Sequence, residues 1–285
     1  MHSIRIRLPL LLIACLLIPT TACQKNPYTG RYQFLTVPKS YENNLGTQAY
    51  QQVLSDPKHK ISQDPREVEP ANRVATRIIE AAKQSKYADT AKAFDWQVSA
   101  IKEDQTKNAF ALPGGKIAVY TGIFPVAKNE AGLAAILGHE VTHALARHGA
   151  ERMSQGVLAQ VGLEAAAIAL QTQGFGPGTS QAAMAALGAG AQVGVLLPFS
   201  RKHESEADYI GLLLAAQAGY DPREAVHVWE RMEAAGGNQP SEFLSTHPSH
   251  GTRIKQLQEA MPEALALYEK ATKAPNADLP PVQGS

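Results

Sequence analysis

Cysteine is nearly absent from this chain of 285 residues, at two copies, so no framework of disulfides can staple the fold. Net charge is nearly absent too. With 27 Lys+Arg against 26 Asp+Glu and no basic run interleaved with aromatics, nothing electrostatic favours nucleic acid. No Gly-rich loop ending in Lys-Ser/Thr is present to cradle a phosphate, which removes a common nucleotide-binding reading. No uninterrupted apolar run approaches the roughly 18 residues of a spanning helix. The Ala- and Gly-rich stretches 157–170 and 181–197 are interrupted by Gln160, Glu164 and the break at 174–178, and read as packed or lid-like helices. What is present is ordinary: 44% hydrophobic and 19% charged residues, enough to bury one core in a chain this long.

The chain opens with Arg5 and Arg7, an apolar stretch over 8–18, and Thr20-Thr21-Ala22-Cys23. Such a stretch is too short to cross a bilayer and reads as the core of a signal peptide over 1–22. Small residues before Cys23 resemble a bacterial lipobox, which implies lipidation of Cys23. Gln24 in place of Asp then implies anchoring on the periplasmic side of the outer membrane of a Gram-negative bacterium. Beyond it the sequence divides into an N-terminal anchor and extension (23–67), a folded domain (68–270) and a Pro-containing tail expected to be disordered (271–285).

Within the folded domain, Val74, Ile78 and Ala81 recur at helical spacing together with Ala75, Ile79 and Ala82, which predicts a helix over 68–82. Residues 96–101 predict a strand, and 108–112 with 116–121 flank Pro113-Gly114-Gly115 as a hairpin. Helices are predicted over 130–153 and 201–218, the latter stopped by Gly219. Asp221, Pro222 and Glu224 cap the next helix. Strands followed by helices give an α+β class, mainly helical, with a small antiparallel sheet beside the helix over 130–153.

That helix carries His139-Glu140-Val141-Thr142-His143. Two histidines four residues apart project from one helix face and can ligate the same zinc ion. At about 100° per residue, with His139 at zero, His143 falls near 40° and Glu140 near 100°. Leu133, Leu137, Val141 and Leu145 form the opposite, apolar side. Glu140 therefore stands beside the ligand face, placed to take a proton from zinc-bound water and return it to the leaving amine. His148 falls on the apolar side of this wheel and reads as a packing or supporting residue, whereas His203 reads as a surface or packing residue.

A catalytic zinc takes three protein ligands and keeps one position open. The third candidate is Glu204, because Glu204 and Asp208 share a helix face while Glu206 points about 200° away. Asp208 would accept a hydrogen bond from a ligand histidine and fix its tautomer.

The blocks Asn26-Pro27-Tyr28-Thr29-Gly30-Arg31, Asn108 to Gly115, His139 to His143, Ser200-Arg201 leading to Glu204–Asp208, and Ser245-Thr246-His247-Pro248 with Arg253 together resemble the zinc metallopeptidase family of HtpX, the CAAX prenyl protease and BepA. The resemblance covers roughly 24–265. It implies a zincin-like metalloprotease domain over 68–270, with one Zn2+ per chain on His139, His143 and Glu204 and with Glu140 as catalytic acid and base. It also implies that His247 acts at the site, as an inhibitory fourth ligand or as an oxyanion stabiliser, and that Arg253 pairs with an acid nearby. Asn108, Ala109, Phe110 and Ala111 resemble the family's edge strand, which would hold an extended polypeptide by strand addition. The implied function is a metalloendopeptidase acting on misfolded or misassembled envelope proteins. The second reading is a protease-fold assembly factor for outer-membrane proteins with latent or no proteolysis.

Overall fold

A computed structural model describes residues 23–172, 181–182, 184–185, 187, 197–235, 247 and 252–282. The segment 1–22, expected to be a signal peptide, lies outside them, as does most of 173–196. In chain order the elements are β1 (Cys23–Lys25), β2 (Tyr32–Phe34), α1 (Lys39–Ser55), β3 (Lys60–Ile61), α2 (Pro65–Lys83) and α3 (Ala88–Ala93). Then come β4 (Gln97–Lys102), β5 (Ala109–Leu112), β6 (Lys116–Tyr120), α4 (Phe124–Ala127), α5 (Glu130–Leu145) and α6 (His148–Thr172). The last three helices are α7 (Leu197–Gln217), α8 (Glu224–Ala235) and α9 (Arg253–Lys270). The class is α+β and mainly helical, as the sequence predicts.

α2 starts at a side-chain cap, Asp64 accepting from the Arg66 amide, with Pro65 in the first turn where its missing N–H costs nothing. Its stripe of Val74, Ile78, Ile79 and Ala82 is buried. The predicted hairpin is present: β5 runs antiparallel to β6, with Ala109 opposite Val119, around Gly114 and Gly115 at φ +83° and +89°. The sheet as a whole departs from the antiparallel expectation. Its order is β3-β4-β6-β5, and β4 and β6 are parallel. The chain reverses after β4 without pairing, and β6 then fills the gap between β4 and β5. A central strand needs both neighbours and both faces covered, and every residue of β6 is buried.

α5 also departs from its wheel. Both of its faces are buried, from Glu130 to Leu145, because the sheet, α2, α7 and α8 surround it. It crosses α7 at two glycines. A Cβ on Gly138 would sit 2.6 Å from the Gly211 carbonyl oxygen, and one on Gly211 would sit 2.6 Å from the His139 nitrogen. Only glycine permits that approach, and it sets the carboxylates of α7 against the histidines of α5.

The helix predicted over 130–153 breaks after Leu145. Arg147 adopts φ +59°, a left-handed conformation costing about 1–2 kcal/mol outside glycine. Its guanidinium offsets that cost through a 2.7 Å bond to Glu42 Oε2 and a 2.6 Å bond to the Val37 carbonyl. The break starts α6 in a new direction. Residues His148–Leu170 are long and apolar enough to cross a membrane by length and composition. Of the packed or lid-like helix expected over 157–170, the packed form is not what is found: Val157, Leu158, Val161 and Ile168 are each more than half exposed.

The tail expected to be disordered is docked over 271–282. The amides of Glu130 and Leu279 bond to the carbonyls of Ala277 and Lys128, Asn276 Oδ1 accepts from the Ala131 amide, and Leu279 and Val282 are buried. The start of α5 supplies amide donors with no partner inside the helix, and the tail satisfies them.

Candidate metal centre

α5 presents His139 and His143, and α7 presents Glu204 and Asp208 on the face turned toward them. His139 Nε2 and His143 Nε2 lie 3.1 Å apart. Glu204 reaches both, Oε2 at 3.3 Å from His139 Nε2 and Oε1 at 3.5 Å from His143 Nε2. His247 Nδ1 adds a fourth donor, 3.0 Å from Glu204 Oε2 and 3.2 Å from His139 Nε2. These four ligand atoms lie within 4.8 Å of one another.

The donor set fits zinc. A tetrahedral ion with bonds near 2.0–2.1 Å holds its ligand atoms about 3.3 Å apart, the spacing found here. Asp208 Oδ1 lies 2.9 Å from His139 Nδ1, and the Arg253 guanidinium lies 2.6 Å from each Asp208 oxygen. An ionised carboxylate only accepts, so His139 donates through Nδ1–H, which leaves Nε2 as the ring atom that could bind a metal.

Burial and partners set the electrostatics. Burial opposes a charge on His139, but Asp208 and Glu204 outweigh it and push its imidazole up to about 9. Burial would raise Glu204, yet His143, His139 and His247 hold it well below the carboxylate range. His143 is driven well below the usual imidazole value, first by burial. Glu140 is buried and shifted upward, chiefly by burial. No hydrogen bond reaches its Oε1 among the described residues, where His247 Nε2 lies 3.4 Å away. A buried carboxylate with a raised pKa and a free oxygen beside the ligand face suits a general base. Arg253 is buried, lies 3.3 Å from Glu204 and packs 3.5 Å from the centroid of the Trp229 ring.

The structure thus brings together His139, Glu140, His143, Glu204, Asp208, His247 and Arg253. Ala109, Phe110 and Ala111 form the sheet's outer strand, which packs on α5, and Asn108 precedes it. Cys23 is exposed at the head of β1. Sequence reasoning underestimated a second cluster. His148 Nδ1 lies 2.9 Å from His143 Nδ1, and its Nε2 lies 3.2 Å from Glu206 Oε2. Arg31 joins Glu206 at 2.6 Å and Glu151 at 2.7 Å. The signal was the Asn26–Arg31 block, none of whose six residues had an assigned chemistry.

The sequence model of peptidase family M48 matches residues 69–261. The chain is 40% identical over 244 residues to the mitochondrial metalloendopeptidase OMA1 of Schizosaccharomyces pombe, covering 84% of this chain and 66% of that protein. It is 32% identical over 287 residues to the Saccharomyces cerevisiae protein of that name, covering 94% and 78%. To the beta-barrel assembly-enhancing protease of Escherichia coli it is 33% identical over 156 residues, covering 52% and 31%. The chain spans about two thirds of the fission-yeast relative and a third of the bacterial one. It belongs to peptidase family M48, a family of zinc metalloendopeptidases with polypeptide substrates. The expected placement as a Gram-negative outer-membrane lipoprotein is overturned. The relatives matched over most of the chain carry mitochondrial names, and the bacterial protease matches only half of it.

Proposed function

We propose that this chain hydrolyses peptide bonds in extended segments of misfolded or misassembled polypeptides, with His139, His143 and Glu204 holding zinc and Glu140 moving the proton. The observation that carries this reading is the convergence of three remote donors beside a buried carboxylate with an unbonded oxygen. Zinc, when bound, polarises the scissile carbonyl and acidifies the attacking water. Glu140 takes the water's proton on its free oxygen and delivers it to the leaving amine. Burial, which favours its protonated form, suits a group that must hold that proton between the two halves of the transfer. Asp208 and Arg253 keep His139 in the tautomer that leaves Nε2 free.

The edge strand supports the choice of substrate conformation. β5 has a partner on one side only within its sheet, so its outer backbone groups can pair with an extended chain. His247 stands within the donor shell, which favours the closed, inhibitory role of the two expected for it. Replacing His247 with Ala is then expected to raise turnover.

The test is metal analysis with casein-type proteolysis. Wild type is expected to bind one zinc and lose activity to chelators, while Glu140→Gln keeps the zinc and loses roughly 10²–10⁴-fold in turnover. A zinc-loaded Glu140→Gln protein of unchanged activity refutes the assignment.

A further inference from the structure

His143 is the ligand without a carboxylate of its own. A histidine that binds metal through Nε2 must carry its proton on Nδ1. The atom facing that proton, 2.9 Å away, is Nδ1 of His148, so His148 must accept there and carry its own proton on Nε2. That proton points at Glu206 Oε2, 3.2 Å away. One choice at His143 therefore fixes every tautomer along the line, and each donor meets an acceptor. Glu206 is held in turn by Arg31 at 2.6 Å and by the Thr29 hydroxyl.

The rest of the cluster is built to keep this line still. Arg31 grips Glu151 with two nitrogens, at 2.7 and 2.8 Å. His203 stacks on His148, ring centroids 4.4 Å apart and 12° from parallel, and its Nε2 lies 3.0 Å from Glu151. The segment carrying Thr29 and Arg31 is itself shaped. Asn26 Oδ1 accepts from the amides of Tyr28 and Thr29, and the Asn26 amide donates to the Arg31 carbonyl.

We propose that His148 and Glu206 are positioning residues that orient zinc ligand His143, and that the turn from Asn26 to Arg31 is a strap holding this relay in place. The proposal rests on the zinc reading of the site. It makes metal affinity a property of the N-terminal segment, remote in sequence from every ligand.

The experiment uses the full chain and two readouts besides turnover: zinc affinity by competition with a chromophoric chelator, and the visible absorption of the Co2+-loaded protein. His148→Leu is expected to lower zinc affinity roughly 10–100-fold and shift the Co2+ bands. His148→Asn, whose Oδ1 can accept where Nδ1 stood, should recover most of the loss. Arg31→Met should show a smaller loss of the same kind. Tyr50→Phe, which removes the bond from the Tyr50 hydroxyl to Ser99 elsewhere on the N-terminal segment, should lower thermal stability and leave zinc affinity within about twofold. Wild-type affinity and spectrum in His148→Leu would overturn the relay, as would an equal loss in Tyr50→Phe. Should His148→Leu fail to fold, Arg31→Met against Tyr50→Phe decides on the same criteria. A wild type that binds no zinc defeats the reading of the site itself, a distinct result from variants that bind as well as wild type.

Discussion

The two histidines of one helix are supported in opposite ways. His139 meets a carboxylate directly, and Asp208 is backed by Arg253 stacked on Trp229, all from α7, α8 and α9. His143 meets a neutral imidazole first, and only behind it Glu206 and Arg31, from α7 and the N-terminal segment. Both lines end in a carboxylate–guanidinium pair, buried at Arg253 and part-buried at Arg31, but they act differently on the histidine. Against burial, Asp208 and Glu204 push His139 up to about 9, while burial drives His143 down, with the neighbouring imidazoles acting in the same sense and Glu204 opposing them. The two candidate ligands differ in basicity, and each is supported by a different part of the chain.

Cutting the stronger line should cost most. Arg253→Ala leaves Asp208 and Glu204 buried without their cation, a loss of about 3–5 kcal/mol in chemical unfolding. A change below about 1 kcal/mol would mean that the charges are carried by the histidines alone. Cutting the weaker line should cost less. The Arg31 side chain is 17% exposed against 1% for Arg253, and Glu206 and Glu151 keep His148 and His203 as partners without it, so Arg31→Met should lose about 1–3 kcal/mol.

Acid sharpens the contrast. Burial would raise Glu151 and Glu206, yet Arg31 with His203 and His148 pulls both down to about 2. A folded pKa below the ordinary 4.5 means stability that is complete above 4.5 and lost as pH falls toward 2. Wild type should therefore show a steep loss of stability between those values, and Arg31→Met a flatter one. Equal slopes by denaturant titration at several pH values would place the acid sensitivity on Asp208, which is also held low.

The stronger line was legible in the sequence and the weaker one was not, for reasons that can be named. Glu204 and Asp208 sit four apart on one uninterrupted helix, so helical spacing gives their shared face. His148 was placed on the apolar side by a wheel run straight through Arg147, where the helix in fact breaks. The left-handed residue that re-aims it is not glycine, so no local signal marked the break. Glu206 was set aside as pointing away from the zinc. It does point away, toward a partner found only in the folded chain. The hairpin was legible from its glycines, whereas the parallel pairing of β4 with β6 depends on a strand inserted from later in sequence.

If the break at Arg147 aims His148, its backbone should matter more than its side chain. Arg147→Gly combined with Glu42→Gln tests this, because glutamine removes the buried charge that Arg147 leaves behind. Glycine relieves a left-handed cost of about 1–2 kcal/mol. It adds about 0.5–1 kcal/mol of unfolded-chain entropy and forfeits the bond to the Val37 carbonyl, about 1 kcal/mol. These terms nearly cancel, so stability should move by less than about 1 kcal/mol and zinc affinity should hold. A loss of zinc affinity like that expected for His148→Leu would show instead that the guanidinium, through α1, fixes the direction of α6.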